Sequence, residues 1–185
     1  MKLKSIPKNF QLFLPFSIDF NHSLFNPNNR FLILGQKKKL KLFLLNSEFL
    51  KKHLKHCFFY FQQSLVQKIP IIFVGNIKNE MLSSLFKFFC AKNKLIFLDL
   101  KKESNSRKYR LFLKTKNLVM IGLFLNSLEL NELKIDSEEF NIPLVLFSDL
   151  ETSRHDLLTS FSGPVNYDYI QFLIILTLIN IYEQI

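Results

Sequence analysis

The chain reads as an α/β domain, an open and mostly parallel sheet flanked by helices, and three observations carry that reading. Ile71–Val74, Leu118–Leu125 and Leu144–Phe147 are nearly unbroken apolar runs without polar alternation, the pattern of parallel strands buried on both faces. The stretches between them repeat apolar residues three and four apart, the period of amphipathic helices. Asn, Asp, Gly and Pro stand at the boundaries, where a chain changes direction.

Residues 1–21 carry Pro7 and Pro15 and no sustained period, so they are expected to form an extended arm ahead of one domain over 22–185. His22 and the turn Asn26-Pro27-Asn28-Asn29 open that domain. Phe31–Gly35 and Leu40–Leu45 read as two short strands around the basic turn Gln36-Lys37-Lys38-Lys39. Ser47 suits the N-cap of a helix with Leu50, Leu54, Phe58, Phe61 and Leu65 along one stripe. The buried strand Ile71–Gly75 follows, then a helix with Met81, Leu82, Leu85, Phe86 and Phe89 at helical spacing, ending near Cys90. Leu95–Leu100 is a fourth apolar run, and Lys101–Lys116 is polar and basic. After the strand at Leu118–Leu125, Glu129, Glu132, Glu138 and Glu139 mark an acidic helix. Pro143 is tolerated at the start of the next strand, where no ladder donor is needed, and Asp149 falls at its carboxyl end, where open α/β sheets place their contacts. Asn166 is placed to cap a last helix, with Asp168 complementing the dipole in its first turn.

Composition narrows the function. The formal charge is +10, yet residues 1–116 carry a net +18 and residues 117–185 a net −8. A basic first part and an acidic last part fit one face toward a polyanion and another toward water or basic proteins. With 22 Phe but only 4 Gly, one Ala and no Trp, the usage points to a very AT-rich coding genome, most often an organelle's. The longest nearly apolar run, Ile170–Ile181, contains Gln171, Thr177 and Asn180 and is shorter than the ~20 residues a membrane-spanning helix needs. Cys57 and Cys90 stand alone, which indicates neither a disulfide framework nor a zinc site.

Catalytic signatures are sparse. Gly75 after its strand belongs to no glycine-rich phosphate loop. His53 and His56 stand three apart but lack carboxylate partners nearby, so they read as two solvated histidines on a basic helix. Asp149, His155 and Asp156 follow a strand end, but Ser153-x-x-Asp156 reads as local capping chemistry. The basic groups are the stronger signal. Lys37, Lys38, Lys39 and Lys41 crowd a tight turn, Lys51, Lys52 and Lys55 share a helix surface, and Arg107, Lys108 and Arg110 lie in a basic loop. Such groups suit phosphate contacts that orient a nucleic acid without reading its sequence.

Several of these residues together resemble the small-subunit ribosomal protein 2 family. His22, Asn26, Pro27, Gly35 and Lys37 match its amino-terminal signature, Ile71–Gly75 its Ile-Leu-Phe-Val-Gly strand, and Asn141-Ile142-Pro143, Asp149, Pro164, Asn166 and Asp168 its closing segment. Glu151, Val165 and Tyr167 depart from it, and no Arg-Trp segment or long helical hairpin is present. The resemblance implies a Rossmann- or flavodoxin-like three-layer fold. It also implies a structural constituent of the small ribosomal subunit, bound to its RNA and neighbouring ribosomal proteins; the missing segments point to a mitochondrion, with a plastid as the alternative. No catalysis, cofactor, metal, membrane or small-molecule substrate is then expected. The alternative, from the residues themselves, is an α/β enzyme or nucleotide-binding module using the strand ends near Gly75 and Asp149.

Overall fold

The structure is a computed structural model; it describes residues 17–19, 33–37, 42–45, 47–100, 117–149, 160–163, 165 and 167–185. Its elements are β1 (Ser17–Asp19), β2 (Ile33–Lys37), β3 (Leu42–Leu45), α1 (Ser47–Val66), β4 (Ile71–Gly75), α2 (Glu80–Lys92), β5 (Ile96–Asp99), β6 (Val119–Leu123), α3 (Ser127–Glu139), β7 (Leu144–Asp149), β8 (Ser160–Gly163) and α4 (Asp168–Glu183).

Two sheets form. The larger has five strands in the order β5-β4-β6-β7-β8, every neighbouring pair parallel. The expected α/β architecture is therefore the observed one. All five residues of β4 and all five of β6 are buried, because helices cover both faces and leave no side for polar alternation. The smaller sheet is antiparallel, in the order β1-β3-β2, with a bulge between Ile33 and Gly35. Ser17–Asp19 of the amino-terminal stretch thus pair with Leu42–Leu44.

Alternation along the strands sorts the core into two halves. Phe73, Ile121, Val145 and Phe147 pack beneath α1, α2 and α4. Ile72, Val74, Met120, Leu144 and Leu146 pack with Leu130 and Leu133 of α3 on the opposite face. The first half is built from aromatic rings in series: Phe61–Phe73 at 5.9 Å, Phe73–Phe86 at 5.1 Å and Phe86–Phe97 at 5.3 Å between centroids. Tilted and edge-on rings at these separations add about 0.5–1.5 kcal/mol each beyond the area they bury. The series ties α1, β4, α2 and β5 into one body.

Glycine is scarce, and the helix ends show how the chain manages without it. Lys68, Lys94 and Asn141 take the left-handed conformation just past α1, α2 and α3, with φ of 56°, 56° and 52°. At each end a following N–H reaches back to the helix: Ile69 to Ser64 O, Leu95 to Cys90 O and Ile142 to Ser137 O, all at 2.9 Å. That is the Schellman closure, which normally recruits glycine. The last helix also differs from expectation at its start, because its N-cap is Tyr167, whose side chain makes no capping bond, while Asn166 lies outside the described residues.

Candidate functional site

Strand order locates the site. From β4 the chain passes to β5 on one side and then returns to β6 on the other, so neighbouring connections diverge above the carboxyl ends of β4 and β6. Such a switch point opens a crevice between two loops, and open α/β sheets bind their ligands there. Here the two loops are Asn76–Asn79, leading into α2, and Phe124–Asn126, leading into α3, and the crevice is the space between them.

Both loops end in asparagine caps. The Asn79 side chain accepts the Leu82 N–H at 3.1 Å. Asn126 and Glu129 form a capping box: Asn126 Oδ1 accepts the Glu129 N–H, and Glu129 Oε2 accepts the Asn126 N–H, each at 2.9 Å. The amino ends of two helices, with their partial positive charge, therefore flank the crevice. Glu129 does more than cap, since its Oε1 accepts Asn76 Nδ2–H at 3.1 Å, and the Asn76 N–H donates to Leu123 O at 3.0 Å. These bonds lace the two loops together. Glu129 is accordingly half-buried, whereas Glu132, Glu138 and Glu139 of the same acidic helix are exposed.

Three features mark this edge as unusual. Gly75 packs so tightly that a β-carbon there would sit 2.9 Å from both Cβ and O of Leu123. Phe124 holds φ 57° while buried, a strained conformation for an aromatic residue. Among the described residues, Asn76 Oδ1 and Ser148 Oγ are buried without a hydrogen-bond partner. Ser148 follows Leu144 and Leu146 on the α3 face of the sheet, the face from which Glu129 reaches Asn76. An orphaned buried polar group costs roughly 1–3 kcal/mol, so two on one face of this edge are an unmet demand for partners. At β5, Lys87 Nζ pairs with Asp99 Oδ2 at 2.6 Å and lies 5.9 Å from the Phe97 ring centroid. Asp99 stands opposite Gly75 in the register, on the other side of β4 from the crevice.

The residues singled out from sequence divide among several places. Gly75 and Asp149 both end strands at this edge, but β6 separates β4 from β7, about 10 Å between the strands themselves. Asp149 thus flanks the crevice without entering it. Pro143 precedes β7, and Asp168 is exposed in the first turn of α4. Gly35 lies in β2 opposite Leu44, and Lys37 closes β2 opposite Leu42. Lys52 and Lys55 are exposed on α1, and Lys51 is half-buried. His22, Asn26, Pro27, Lys38, Lys39, Lys41, Arg107, Lys108, Arg110, His155, Asp156, Pro164 and Asn166 lie outside the described residues.

His53 corrects its reading as solvated. It is half-buried, with Nδ1 3.2 Å from Ser160 O of β8, and burial lowers its pKa. Its neighbour His56 is exposed, and among the described residues no group of three metal-ligating side chains forms. Cys57 is buried and donates to Leu146 O at 3.8 Å. Burial pushes its thiol far up and that of Cys90 up to about 12, so both stay protonated and unreactive.

Sequence reasoning passed over Asn76, Asn126, Glu129 and Ser148 as site residues. The spacing Asn126-x-x-Glu129 did carry a signal, that of a capping box, whereas nothing local announces that Glu129 also reaches Asn76. A separate cavity of 320 Å³ opens at the opposite edge of the sheet, lined by Leu65, Lys68, Ile69, Leu95, Tyr182 and Ile185.

Comparison with known proteins adds a fold relative. No family model matches the chain, and no curated protein matches it. Among solved structures it is similar to a phosphoheptose isomerase from Francisella tularensis, with a TM-score of 0.50 and 11% identity over 72% of this chain and 86% of that one. At this identity the likeness shows the fold alone. It nevertheless corrects the expectation of a non-enzymatic constituent of the small ribosomal subunit, because the architecture is shared with an enzyme and no family model or curated protein matches the chain. The fold this chain shares is that of a three-layer α/β protein with a parallel sheet.

Proposed function

We propose that the chain is a ligand-binding α/β module, enzymatic or nucleotide-binding, that takes a hydroxylated phosphate ester above the carboxyl ends of β4 and β6. The observation that carries this is Asn76 Oδ1, buried without a hydrogen-bond partner at the end of β4, with Ser148 Oγ likewise unsatisfied on β7, the strand beyond β6. An amide oxygen needs a donor and a hydroxyl can give or accept, which suits the hydroxyls of a sugar or a ribose. The amino ends of α2 and α3 and the exposed Lys78 favour the charge of a phosphate. Strain at Phe124 belongs with this reading, since such backbone persists where a site needs it. The fold relative is named for acting on a phosphoheptose, a molecule of this class.

Glu129 is the carboxylate laced into the crevice, and its two N–H bonds hold it in one orientation. It is the group to test for proton transfer once a ligand is found.

Amide-detected NMR titration of the full chain with sugar phosphates and with nucleoside mono- and diphosphates tests the proposal. Saturable shifts at Asn76–Asn79 and Asn126–Glu129, weakened by Asn76→Ala and by Lys78→Ala, are the expected result. Shifts confined to other surfaces, or affinities indifferent to both substitutions, would refute it.

A further inference from the structure

Helix α2 turns an apolar row to the outside. Met81, Leu85 and Phe88 are 82%, 47% and 73% exposed at spacings of four and three, so they form one stripe, about a quarter turn round the helix from the buried Leu82, Phe86 and Phe89. Helix α4 lies in the same layer, joined to α2 through the Phe89–Tyr182 ring contact at 5.4 Å, and exposes Phe172 and Leu176. Together these side chains expose apolar surface on the order of 500 Å² per copy, at the upper end of what a monomer tolerates and more than half of the ~800 Å² per partner that a stable complex buries.

The row is self-complementary. Its helix begins with Glu80 and ends with Lys92, both exposed. Turned antiparallel on itself about a two-fold axis near Leu85, α2 sets Met81 against Phe88 of the other copy and Phe88 against its Met81. The same rotation brings Glu80 toward Lys92 of the other copy, twice. With the axis set by the apolar pair, Glu80 and Lys92 of the other copy are about 4–5 Å out of step along the helix, an offset that the long lysine side chain can span. Ser84, small and exposed, sits beside that axis and lets the helices approach. Antiparallel dipoles add to the match.

We propose that this face is a homodimer interface, with α2 packed antiparallel on α2 of a second copy and α4 flanking it. A two-fold contact between identical patches is the commonest way a chain closes such a surface. The apolar row supplies the affinity, and the Glu80–Lys92 pairs set the register.

Sedimentation velocity on the full chain, from about 1 to 100 µM, tests it, with far-UV circular dichroism confirming that each variant is folded. A reversible monomer–dimer equilibrium is expected, weakened about 30-fold or more by Phe88→Glu. Lys92→Glu should also weaken it, and the double exchange Glu80→Lys/Lys92→Glu should restore it, because complementarity returns with the signs reversed. Lys55→Glu, exposed on α1, should leave it unchanged. A chain that stays monomeric through this range overturns the proposal, including the case in which an unlike protein covers the face. So does self-association indifferent to Phe88→Glu, or a double exchange no tighter than Lys92→Glu alone.

Discussion

Replacing Lys94 by glycine should make this protein more stable. Lys94 holds φ 56° at the end of α2, where its N–H donates to Ala91 O at 3.3 Å and the next N–H to Cys90 O. Its side chain is exposed, so little packing is lost with it. A residue with a β-carbon pays about 1–2 kcal/mol for the left-handed region, which glycine avoids. Glycine's greater freedom in the unfolded chain returns about 0.5–1 kcal/mol of that. The net gain is about 0.5–1 kcal/mol, or about 1–4 °C in Tm for a chain of this size. Urea unfolding is the assay, and the midpoint should rise with an unchanged slope. Lys94→Val should move the midpoint the other way, since a β-branched residue tolerates this conformation least. Asn141→Gly, at φ 52°, should gain less, because asparagine already visits this region readily. If Lys94→Gly were neutral or destabilising while Asn141→Gly stabilised, the account of these helix ends would be wrong.

Three further substitutions probe other parts of the argument. Phe86→Ala should cost about 3–5 kcal/mol by denaturant unfolding, because the ring is fully buried and contacts Phe73, Phe89 and Phe97; a cost under about 1 kcal/mol would show that the aromatic series does not hold the layers together. Gly75→Ala should cost about 1–3 kcal/mol, since the new methyl meets Leu123 Cβ and O at 2.9 Å, and should disturb amide signals at Asn76 and Leu123 first. His53 has a folded-state pKa below its ordinary 6.5, with burial the main cause, so the unfolded chain binds the proton more readily. Its contribution is therefore undiminished above pH 6.5 and is lost as the pH falls below it; stability profiles of His53→Gln and the parent should converge in acid and separate toward neutral pH, and parallel profiles would contradict this.

Much of the fold was legible because burial on two faces leaves a plain mark. Ile71–Val74 and Leu144–Phe147 could be read as parallel strands from their unbroken apolar character, and the α1 stripe of Leu50, Leu54, Phe58 and Phe61 from its period. Helix ends were harder. Lys68 and Lys94 occupy positions where glycine is the usual signal, so the turns gave no compositional warning. The resemblance to a ribosomal family rested on residues at strand ends and turns, which many α/β proteins need for the same geometric reasons, and it implied a function that the fold comparison corrected.

What amino-acid order by itself determined was the kind and sequence of most elements, β1 and β8 excepted, because periodicity and turn chemistry act over a few residues. Which strands lie side by side was decided only in three dimensions, and with it the place of the crevice. Asn76 and Glu129 are 53 positions apart and meet because β4 and β6 are neighbours while β5 lies outside them. Glu129 read only as one member of an acidic helix until that pairing drew it to Asn76, and His53 read as solvated until β8 supplied the Ser160 carbonyl. A side chain's chemistry is written in the sequence, but its burial and its partner depend on contacts between distant segments, and those exist only once the sheet has formed.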